Sequence, residues 1–325
     1  MSKVALIFGI SGQDGAYLAK FLIEKGYEVH GTSRDAEISK FVSLSKLNIK
    51  EKITFHSVAL TDFRSTLEVL EKVGPKEVYN LAGQSSVGLS FEQPLETLES
   101  IATATINILE AMRFLGGNFL FYNASSSECF GDTGNNPADE KSSFRPRSPY
   151  GVAKAAAYWQ VANYRAGYGM YACSGIMFNH ESILRPSRFV TRKICQSAAR
   201  IALGKQSILK LGDLSIKRDW GWAPEYVQAM WKMLQQKNPE DYVIATGKIN
   251  GLDEFVNEAF SALNLNWEKY VILNESLKRP SEISSGFGAP TKAKSNLNWS
   301  AKTFMPEIAS IMAKKDFNLL NGTTS

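Results

Sequence analysis

The chain has 325 residues, of which 44% are hydrophobic, 21% charged and 11% aromatic. A chain of this size and composition can bury a full hydrophobic core, which excludes the disordered and fibrous classes. Its 37 basic and 32 acidic residues leave a formal charge of +5. Because the basic residues are spread along the chain, we expect scattered anion contacts and no nucleic-acid partner.

The cysteines and apolar segments bear on the compartment. Cys129, Cys173 and Cys195 have no metal-ligand spacing, and their odd number favours a reducing compartment. The apolar stretch at 4–8 is too short for a signal peptide, and no later segment reaches the roughly 18 uninterrupted apolar residues of a membrane span. We expect a soluble, cytoplasmic protein with no metal site and no membrane partner.

Short apolar runs alternate with helical patterns through the first half of the chain. The runs that predict buried strands are 4–9, 28–32, 53–60, 77–82, 118–124 and 172–178. Strict alternation of strand and helix implies right-handed crossovers and a parallel sheet. The predicted fold class is α/β, a doubly wound, Rossmann-like parallel sheet with a smaller mixed α/β domain.

The second half of the chain is less regular. The patterns predict helices over 190–203, 224–236, 252–263 and 306–314, strands over 242–246 and 270–273, and a polar loop over 278–290. We expect a cofactor-binding domain over 1–178, joined by a returning segment at about 213–247. The remainder of 179–325 would mainly bind substrate.

The first predicted strand leads into a turn with Gly9, Gly12 and Gly15 in Gly-x-x-Gly-x-x-Gly spacing. Glycines let the backbone turn tightly and approach a pyrophosphate, whose charge then lies at the N-terminus of the next helix. Ordinary strand-to-helix turns also contain glycines. Three at this spacing, at the first crossover of a parallel sheet, favour dinucleotide binding.

The end of the second strand indicates which dinucleotide binds. An NAD site would place an acidic residue there for the ribose hydroxyls, whereas this chain has Ser33 and Arg34. A hydroxyl and a cation suit a 2′-phosphate, so we predict NADP with Arg34 as a ligand. The alternative is that Asp35 binds the ribose and Arg34 is a surface charge.

A Tyr-x-x-x-Lys pair, Tyr150 and Lys154, opens an alanine-rich helix behind Ser148 and Pro149, which are typical of a helix start. The pair lies one turn apart on one face. The Lys154 ammonium would stabilise a Tyr150 phenolate and so make this tyrosine a base. Such a short motif also occurs by chance, but its position after the fifth strand favours catalysis.

Polar residues follow the fifth predicted strand. Ser126 and Glu128 lie just beyond it, and ligands of open parallel sheets bind at this carboxyl edge. A serine cluster is also an ordinary turn sequence. A carboxylate near a bound sugar and a nicotinamide, however, is a candidate general acid and base.

Taken together, the motifs resemble the GDP-mannose 4,6-dehydratase branch of the extended short-chain dehydrogenase/reductases over nearly the whole chain. They are Gly9 to Gly15, Tyr79-Asn-Leu-Ala-Gly-Gln84, Ser126-Ser-Glu128, Pro146 to Lys154, Phe178-Asn-His-Glu-Ser182, Phe189-Val-Thr-Arg-Lys193, Arg218-Asp-Trp-Gly221, Tyr242 to Gly247 and Arg279-Pro-Ser-Glu282. The Asn-His-Glu-Ser, Val-Thr-Arg-Lys and Arg-Asp-Trp-Gly runs are specific to this branch. The resemblance implies conversion of GDP-mannose to GDP-4-keto-6-deoxymannose through tightly bound NADP, by a homodimer or homotetramer.

The resemblance also implies roles for individual residues. The implied catalytic residues are Ser126, Glu128, Tyr150 and Lys154. The implied cofactor-binding residues are Gly9, Gly12, Gln13, Asp14, Gly15, Arg34, Leu81, Tyr150 and Lys154. The implied substrate-binding residues are Ser85, Asn179, Lys193, Arg218, Arg279 and Glu282.

The chain departs from the family pattern at three places. Ser126 replaces the usual threonine and keeps the hydroxyl. Ala59 stands where the family often has an aspartate near the adenine. The loop at 183–188 keeps Arg185 but has Pro186 and Arg188 at unusual positions, which bears on substrate fit and on subunit contacts.

Three other functions fit parts of this pattern. The substrate could be a GDP-manno-heptose, which carries an extra carbon at C6. A reductase or epimerase of 4-keto sugar nucleotides would use Tyr150 and Lys154 without needing Glu128. A non-catalytic nucleotide-sugar-binding protein would need none of the reactive residues that this chain retains.

Overall fold

The computed structural model describes residues 3–277 and 279–322. Its strands in chain order are β1 (Val4–Phe8), β2 (Glu28–Ser33), β3 (Ile53–Ser57), β4 (Glu77–Asn80), β5 (Leu120–Ser126), β6 (Ala172–Met177), β7 (Asn179–Glu181), β8 (Leu209–Leu211), β9 (Lys217–Arg218), β10 (Trp220–Trp222), β11 (Tyr242–Ile244), β12 (Asn250–Gly251), β13 (Val271–Leu273) and β14 (Ser285–Gly286). Seven of them form one parallel sheet in the order β11-β6-β5-β4-β1-β2-β3. This order confirms the predicted doubly wound α/β class.

Some helices cover the two faces of this sheet, and others form a separate core beyond it. In chain order they are α1 (Gln13–Glu24), α2 (Val42–Lys46), α3 (Phe63–Val73), α4 (Val87–Glu92), α5 (Pro94–Leu98), α6 (Ala104–Leu115), α7 (Pro149–Tyr168), α8 (Val190–Ala202), α9 (Ala223–Leu234), α10 (Leu252–Ser261), α11 (Thr291–Leu297) and α12 (Met305–Leu320). A π-helical turn, Glu99–Thr103, joins α5 to α6. None of the helices within the described ranges is long and apolar enough to cross a membrane.

Strand β1 is apolar throughout because both faces of the sheet are covered there. Ile7 in β1 packs in a cluster with α1 and α9, whereas Leu6 and Phe8 pack in a cluster with α3, α6 and α7. All three side chains are fully buried. This two-sided burial explains why the strands could be predicted from short continuous apolar runs.

The returning part of the chain completes the sheet. Strand β11 pairs in parallel with β6, Tyr242 opposite Gly175, and α9 packs against α1. Both elements lie within the segment at about 213–247 predicted to return to the cofactor-binding domain. The domain boundaries themselves stay a prediction.

A second, smaller core lies beyond the sheet. Helices α8, α10 and α12 pack together around Trp220 and Phe255, beside short strand pairs such as β8 with β13. The polar stretch predicted at 278–290 contains the short strand β14, which pairs with β9. Its first residue, Lys278, lies outside the described residues.

Most strand ends differ from the prediction by one to three residues, and the differences at β4 and β5 shape the functional site. Strands β3 and β4 stop at Ser57 and Asn80, before the predicted ends at 60 and 82, while β5 continues to Ser126, past the predicted end at 124. The chain leaves β4 early for an irregular loop at 81–87. Its apolar residues therefore lie at the carboxyl edge of the sheet and not within it.

Candidate active site

A cleft opens at the carboxyl ends of the central strands, where open parallel sheets bind ligands. Its empty space is about 1180 Å³, open solvent at the mouth included. The walls come from loop 81–87, the end of β5, the first turns of α7 and segments of the second half of the chain. The predicted site residues that line it are Asp14, Leu81, Ser85, Ser126, Glu128, Tyr150, Lys154, Asn179, Arg218 and Arg279.

The glycine turn after β1 is too tight for side chains. Gly9 has a φ of +84°, and a Cβ there would lie 2.7 Å from the backbone of Leu81. A Cβ on Gly15 would lie 2.5 Å from the carbonyl oxygen of Gly9. Gly12 precedes α1 and offers no side-chain cap, so the first N–H groups of the helix point to the turn. This geometry fits a pyrophosphate.

The next two residues, Gln13 and Asp14, connect this turn to the segment after β6. The Gln13 amide donates to the carbonyl of His180 at 3.1 Å and accepts from Ser182 Oγ at 2.7 Å. Asp14 Oδ2 lies 2.8 Å from His180 Nε2. Their predicted role at the cofactor therefore comes with a structural one, because they tie α1 to β7.

Asp14 and His180 form an ion pair inside the cleft. Burial opposes charge on both groups, but the attraction between them and their hydrogen bonds together outweigh it. The pKa of Asp14 is lowered to about 2, and the pKa of His180 is raised. The second ring nitrogen of His180 lies 2.7 Å from the carbonyl oxygen of Phe178. Both ring nitrogens thus face acceptors, which an imidazolium satisfies.

Arg34 and Asp35 differ in their surroundings after β2. The Asp35 Oδ1 accepts from the backbone N–H groups of Glu37 and Ile38 at 3.0 and 3.1 Å, so its carboxylate closes its own turn. Arg34 is exposed and, within the described part of the chain, forms no ion pair. The Arg34 guanidinium is therefore available to bind a phosphate, whereas the Asp35 carboxylate already accepts two backbone hydrogen bonds.

The start of α7 follows the prediction. Ser148 Oγ accepts from the N–H of Gly151 at 3.0 Å, and Pro149 is the first helical residue. Tyr150 and Lys154 are both buried, and the Lys154 Nζ lies 5.8 Å from the centre of the Tyr150 ring. The Nζ donates to the carbonyl of Ala124 at 2.7 Å.

The pKa values in this corner qualify the predicted action of Lys154. Burial raises the pKa of Tyr150, although a hydrogen bond with Ser126 opposes the rise, and burial lowers the pKa of Lys154 to about 8. The chain alone therefore keeps Tyr150 protonated, and the expected stabilisation of its phenolate by Lys154 does not outweigh burial. Further positive charge at the site would be needed to ionise this hydroxyl.

Ser126 and Glu128 occupy the end of β5. Ser126 Oγ accepts from the N–H of Glu128 at 3.2 Å, which caps the short 3₁₀ turn Ser127–Cys129. Burial raises the pKa of Glu128, with Arg218 and Arg279 opposing the rise. A buried carboxyl whose pKa is raised can both hold and accept a proton, as a general acid and base must.

A second part of the cleft lining, from the second half of the chain, carries arginines. Arg218 in β9 is buried and donates to Glu282 Oε1 at 2.8 Å, and Arg279 reaches the same oxygen at 3.3 Å. Glu282, one of the implied substrate-binding residues, is thus already engaged with both arginines. Lys193 is absent from the cleft lining among the described residues, and its Nζ donates to the carbonyl of Lys210 at 2.7 Å.

Sequence reasoning gave no role to several residues that line the cleft, namely His180, Arg185, Arg188 and Trp220. The Arg185 guanidinium lies 3.8 Å from the centre of the Phe189 ring, and its Nε is 3.2 Å from Glu181 Oε2. A usable signal was present in the unusual loop at 183–188. Its two arginines next to an aromatic residue are typical of anion-binding surfaces.

Comparison with known proteins agrees with this geometry. The family model described as GDP-mannose 4,6 dehydratase matches residues 6–312. The chain belongs to the GDP-mannose 4,6-dehydratase family. Its curated relatives include GDP-mannose 4,6 dehydratase 2 of Arabidopsis thaliana, 43% identical over 98% of this chain and 87% of the relative. The GDP-mannose 4,6 dehydratase of Homo sapiens is 40% identical over 98% of this chain and 92% of the relative.

Solved structures share the fold at lower identity. The UDP-glucose 4-epimerase of Thermotoga maritima with UDP-glucose has a TM-score of 0.84 at 20% identity and covers 98% of this chain and 99% of its own. The dTDP-glucose 4,6-dehydratase of Bacillus anthracis in complex with NAD has a TM-score of 0.83 at 15% identity and covers 98% and 97%. Membership of the GDP-mannose 4,6-dehydratase family confirms the predicted enzyme class, a nucleotide-sugar 4,6-dehydratase.

Proposed function

We propose that this enzyme converts GDP-mannose to GDP-4-keto-6-deoxymannose and water by internal hydride transfer through tightly bound NADP. The observation that carries the proposal is the shared cleft. The hydroxyls of Tyr150 and Ser126 and the carboxyl of Glu128 line this cleft together with Arg218 and Arg279. A proton-transfer centre that shares a cleft with a pair of cations suits a sugar joined to a diphosphate.

The cofactor proposal rests on the turn at Gly9 and on Arg34. The packed glycine backbone and the uncapped start of α1 fit a pyrophosphate. Arg34 would bind the 2′-phosphate, since the Asp35 carboxylate is engaged in its own turn. When bound, the nicotinamide would accept the hydride from sugar C4 and return it to C6, and its oxidised ring would bring positive charge towards Tyr150.

The residues of the chemical wall would move the protons. Tyr150 takes the proton of the 4-hydroxyl as the 4-ketone forms, and Ser126 holds the 4-oxygen by a hydrogen bond. The ketone acidifies the hydrogen on C5. Glu128 then removes that proton and protonates the departing C6 hydroxyl, so that water leaves. C5 takes up a proton as C6 receives the hydride, and Tyr150 releases the 4-hydroxyl proton to solvent, so the proton count balances over the cycle.

The arginines of the cleft lining would hold the GDP part. Arg218 and Arg279 present two guanidinium groups, and Glu282 keeps them side by side. Asn179 follows β6 at the same edge. Lys193 would contribute only after leaving the carbonyl of Lys210, so we propose Arg218 and Arg279 as the main diphosphate ligands.

One observation favours a second substrate. Arg188 belongs to the loop at 183–188 and lines the cleft, where a guanidinium adds donors for further hydroxyls. A GDP-manno-heptose carries one more hydroxyl-bearing carbon than GDP-mannose. Turnover of both sugars by the same preparation would rank them.

We also propose a homodimer. Helices α5 and α7 pack together and expose Leu95, Leu98, Val152 and Trp159, with Leu95 and Trp159 more than 60% accessible. An apolar face of this kind suits a two-fold contact between copies. Light scattering after gel filtration should give a dimer mass that falls in Trp159→Glu and stays in Leu319→Glu, a matched change on α12.

The cytoplasm is the proposed compartment, supported by the three free, buried cysteines. We propose the domain boundary near residue 178, with β11 and α9 returning to the cofactor domain. Limited proteolysis with and without NADP tests that boundary.

The decisive experiment is incubation with GDP-mannose and trace NADP, followed by NMR of the sugar. A 4-keto-6-deoxy product without net NADPH consumption supports the proposal. Steady consumption of added NADPH would identify a reductase. Ligand binding without turnover would identify a non-catalytic protein, and a preference for UDP- or dTDP-glucose would identify a different sugar-nucleotide specificity.

A further inference from the structure

Loop 81–87, which runs from the end of β4 to the first residue of α4, is the longest continuous stretch of the cleft wall, and all seven of its residues line the cleft. Its exposed tip is Ser85, and the flanking Gln84 and Ser86 are half-buried. Ordering an irregular loop costs conformational entropy. Specific contacts must therefore hold Ser85 in place.

The side chain of Gln84 supplies these contacts. Its Nε2 donates to the carbonyl oxygen of Ser86 at 2.9 Å, and its Oε1 accepts from the N–H of Ser86. The amide thus satisfies both backbone groups of one residue, as a neighbouring strand would. The two bonds close a ring around Ser85 and make it the tip of the loop.

The same glutamine is anchored to the helix beneath it. Its Nε2 also donates to Thr97 Oγ1 at 3.1 Å, and its backbone N–H donates to Ser100 Oγ at 3.2 Å. The Thr97 hydroxyl hydrogen goes to the carbonyl of Gln93 at 2.7 Å. Its oxygen is therefore free to accept, and the arrangement requires a donor at Gln84.

The helix is irregular at this point. Ser100 lies in the π-helical turn Glu99–Thr103. Such turns are rare in proteins, and those that occur are often found at functional sites. Gly83 crosses the turn with a φ of +121°, where a Cβ would lie 2.8 Å from the side chain of Ile101 and 3.1 Å from the carbonyl oxygen of Ser100. The loop and the π-turn are fitted to each other.

We propose that Gln84 is a positioning residue for substrate recognition, holding Ser85 towards the sugar while Thr97 and Ser100 anchor it to the helix. Ser85 touches the substrate, and Gln84 acts through Ser85. The inference rests on the proposed function in that GDP-mannose is taken as the substrate.

The hydrogen bonds of Gln84 with Ser86, Thr97 and Ser100 form a clamp on the loop, and Gln84→Glu tests this clamp with a side chain of the same shape. A carboxylate cannot donate to Ser86 or Thr97, so the ring opens. We expect the KM for GDP-mannose to rise about tenfold, with kcat changed less than about threefold and NADP affinity unchanged, because the lost contact serves binding of the sugar. Gln93→Glu, an exposed glutamine at the start of the same helix, makes the same charge change and should keep the wild-type KM.

A double-mutant cycle separates positioning from general damage. Ser85→Ala should raise the KM by a similar factor. Adding Gln84→Glu to that variant should change the KM by less than about twofold further, because both substitutions remove the same contact between Ser85 and the sugar. A further tenfold rise in the double variant would overturn the proposal. So would a folded Gln84→Glu enzyme with wild-type KM.

Two further measurements keep the test decisive. If Gln84→Glu does not fold, Ser100→Ala removes one anchor and should raise the KM about two- to threefold, while an unchanged KM would count against the clamp. If the wild-type enzyme leaves GDP-mannose unchanged, the proposed function fails, and the clamp is judged by hydrogen exchange. The amides of 85–87 should then exchange faster in Gln84→Glu than in Gln93→Glu, and equal rates would overturn it.

Discussion

The two walls of the cleft are built in different ways. The chemical wall takes Ser126 and Glu128 from the end of β5 and Tyr150 and Lys154 from the first turns of α7, two elements that pack directly on each other. The recognition wall collects Arg185, Arg218 and Arg279 from three separated segments. Each of its arginines depends on a carboxylate: Glu181 pairs with Arg185, and Glu282 pairs with the other two.

This difference predicts how each wall fails. Local backbone geometry holds the chemical wall, so changing Glu128 or Tyr150 there should remove one reaction step and leave substrate binding intact. Ion pairs between distant segments hold the recognition wall, so a change there should weaken binding and disturb its neighbours. The kcat and KM of variants can therefore distinguish the two walls.

The largest effect is expected for Tyr150→Phe on the chemical wall. The ring still packs, but the hydroxyl that takes the substrate proton is lost, so kcat should fall by about 10³–10⁴ with binding of NADP and GDP-mannose retained. Single-turnover kinetics and calorimetry measure the two properties. Tyr168→Phe, on the exposed end of α7, is the control, and a normally reacting Tyr150→Phe enzyme would remove Tyr150 from the chemistry.

Glu128→Gln should stop the reaction one step later. The amide cannot take the C5 proton, so dehydration should slow by about 10²–10³ while C4 oxidation survives. Absorbance at the NADPH band should then show reduced cofactor that accumulates without product. Full activity of the Gln variant would move the acid–base role elsewhere in the wall.

Arg218→Ala examines the recognition wall. Loss of a charge-assisted contact of roughly 1.5–3 kcal/mol corresponds to about a 10- to 150-fold rise in KM for GDP-mannose, with a smaller change in kcat. The exposed neighbour Lys217→Ala is the control. An effect on kcat alone would show that Arg218 belongs to the chemistry and would break the distinction between the walls.

Arg34→Ala concerns cofactor choice outside both walls. NADP should bind about tenfold more weakly, whereas NAD affinity should stay constant, because only NADP carries the 2′-phosphate. Lys40→Ala, an exposed cation in the same loop, is the control. Equal weakening of both cofactors would leave Arg34 as a surface charge.

The smallest expected effect is on the pH dependence of stability, and it differs in sign between two histidines. Burial, His30 and Lys72 lower the pKa of His56, so the folded state binds fewer protons than the unfolded chain and stability should fall as the pH drops through about 6.5. The pKa of His180 is raised by Asp14, so its contribution is present below about 6.5 and is lost as the pH rises through the folded value. His56→Gln and His180→Gln should change the pH dependence of Tm in opposite directions, each by roughly 1–3 °C.

Several properties followed from the sequence alone because they depend on neighbours along the chain. The apolar runs predicted the central strands, since a strand covered on both faces is apolar at most positions. The glycine spacing predicted the turn after β1, and Ser148 with Pro149 predicted the start of α7 and the shared face of Tyr150 and Lys154. Backbone sterics, capping and helical period decide these features locally.

Tertiary structure decided what depends on packing between distant segments. It engaged Glu282 with Arg218 and Arg279, turned Lys193 to the carbonyl of Lys210, and brought Arg185 into the cleft. Burial raised the pKa of Tyr150, where the Tyr-Lys spacing alone had predicted a stabilised phenolate. Solvent exclusion and long-range ion pairing exist only once the chain has folded, so local sequence patterns could not predict them.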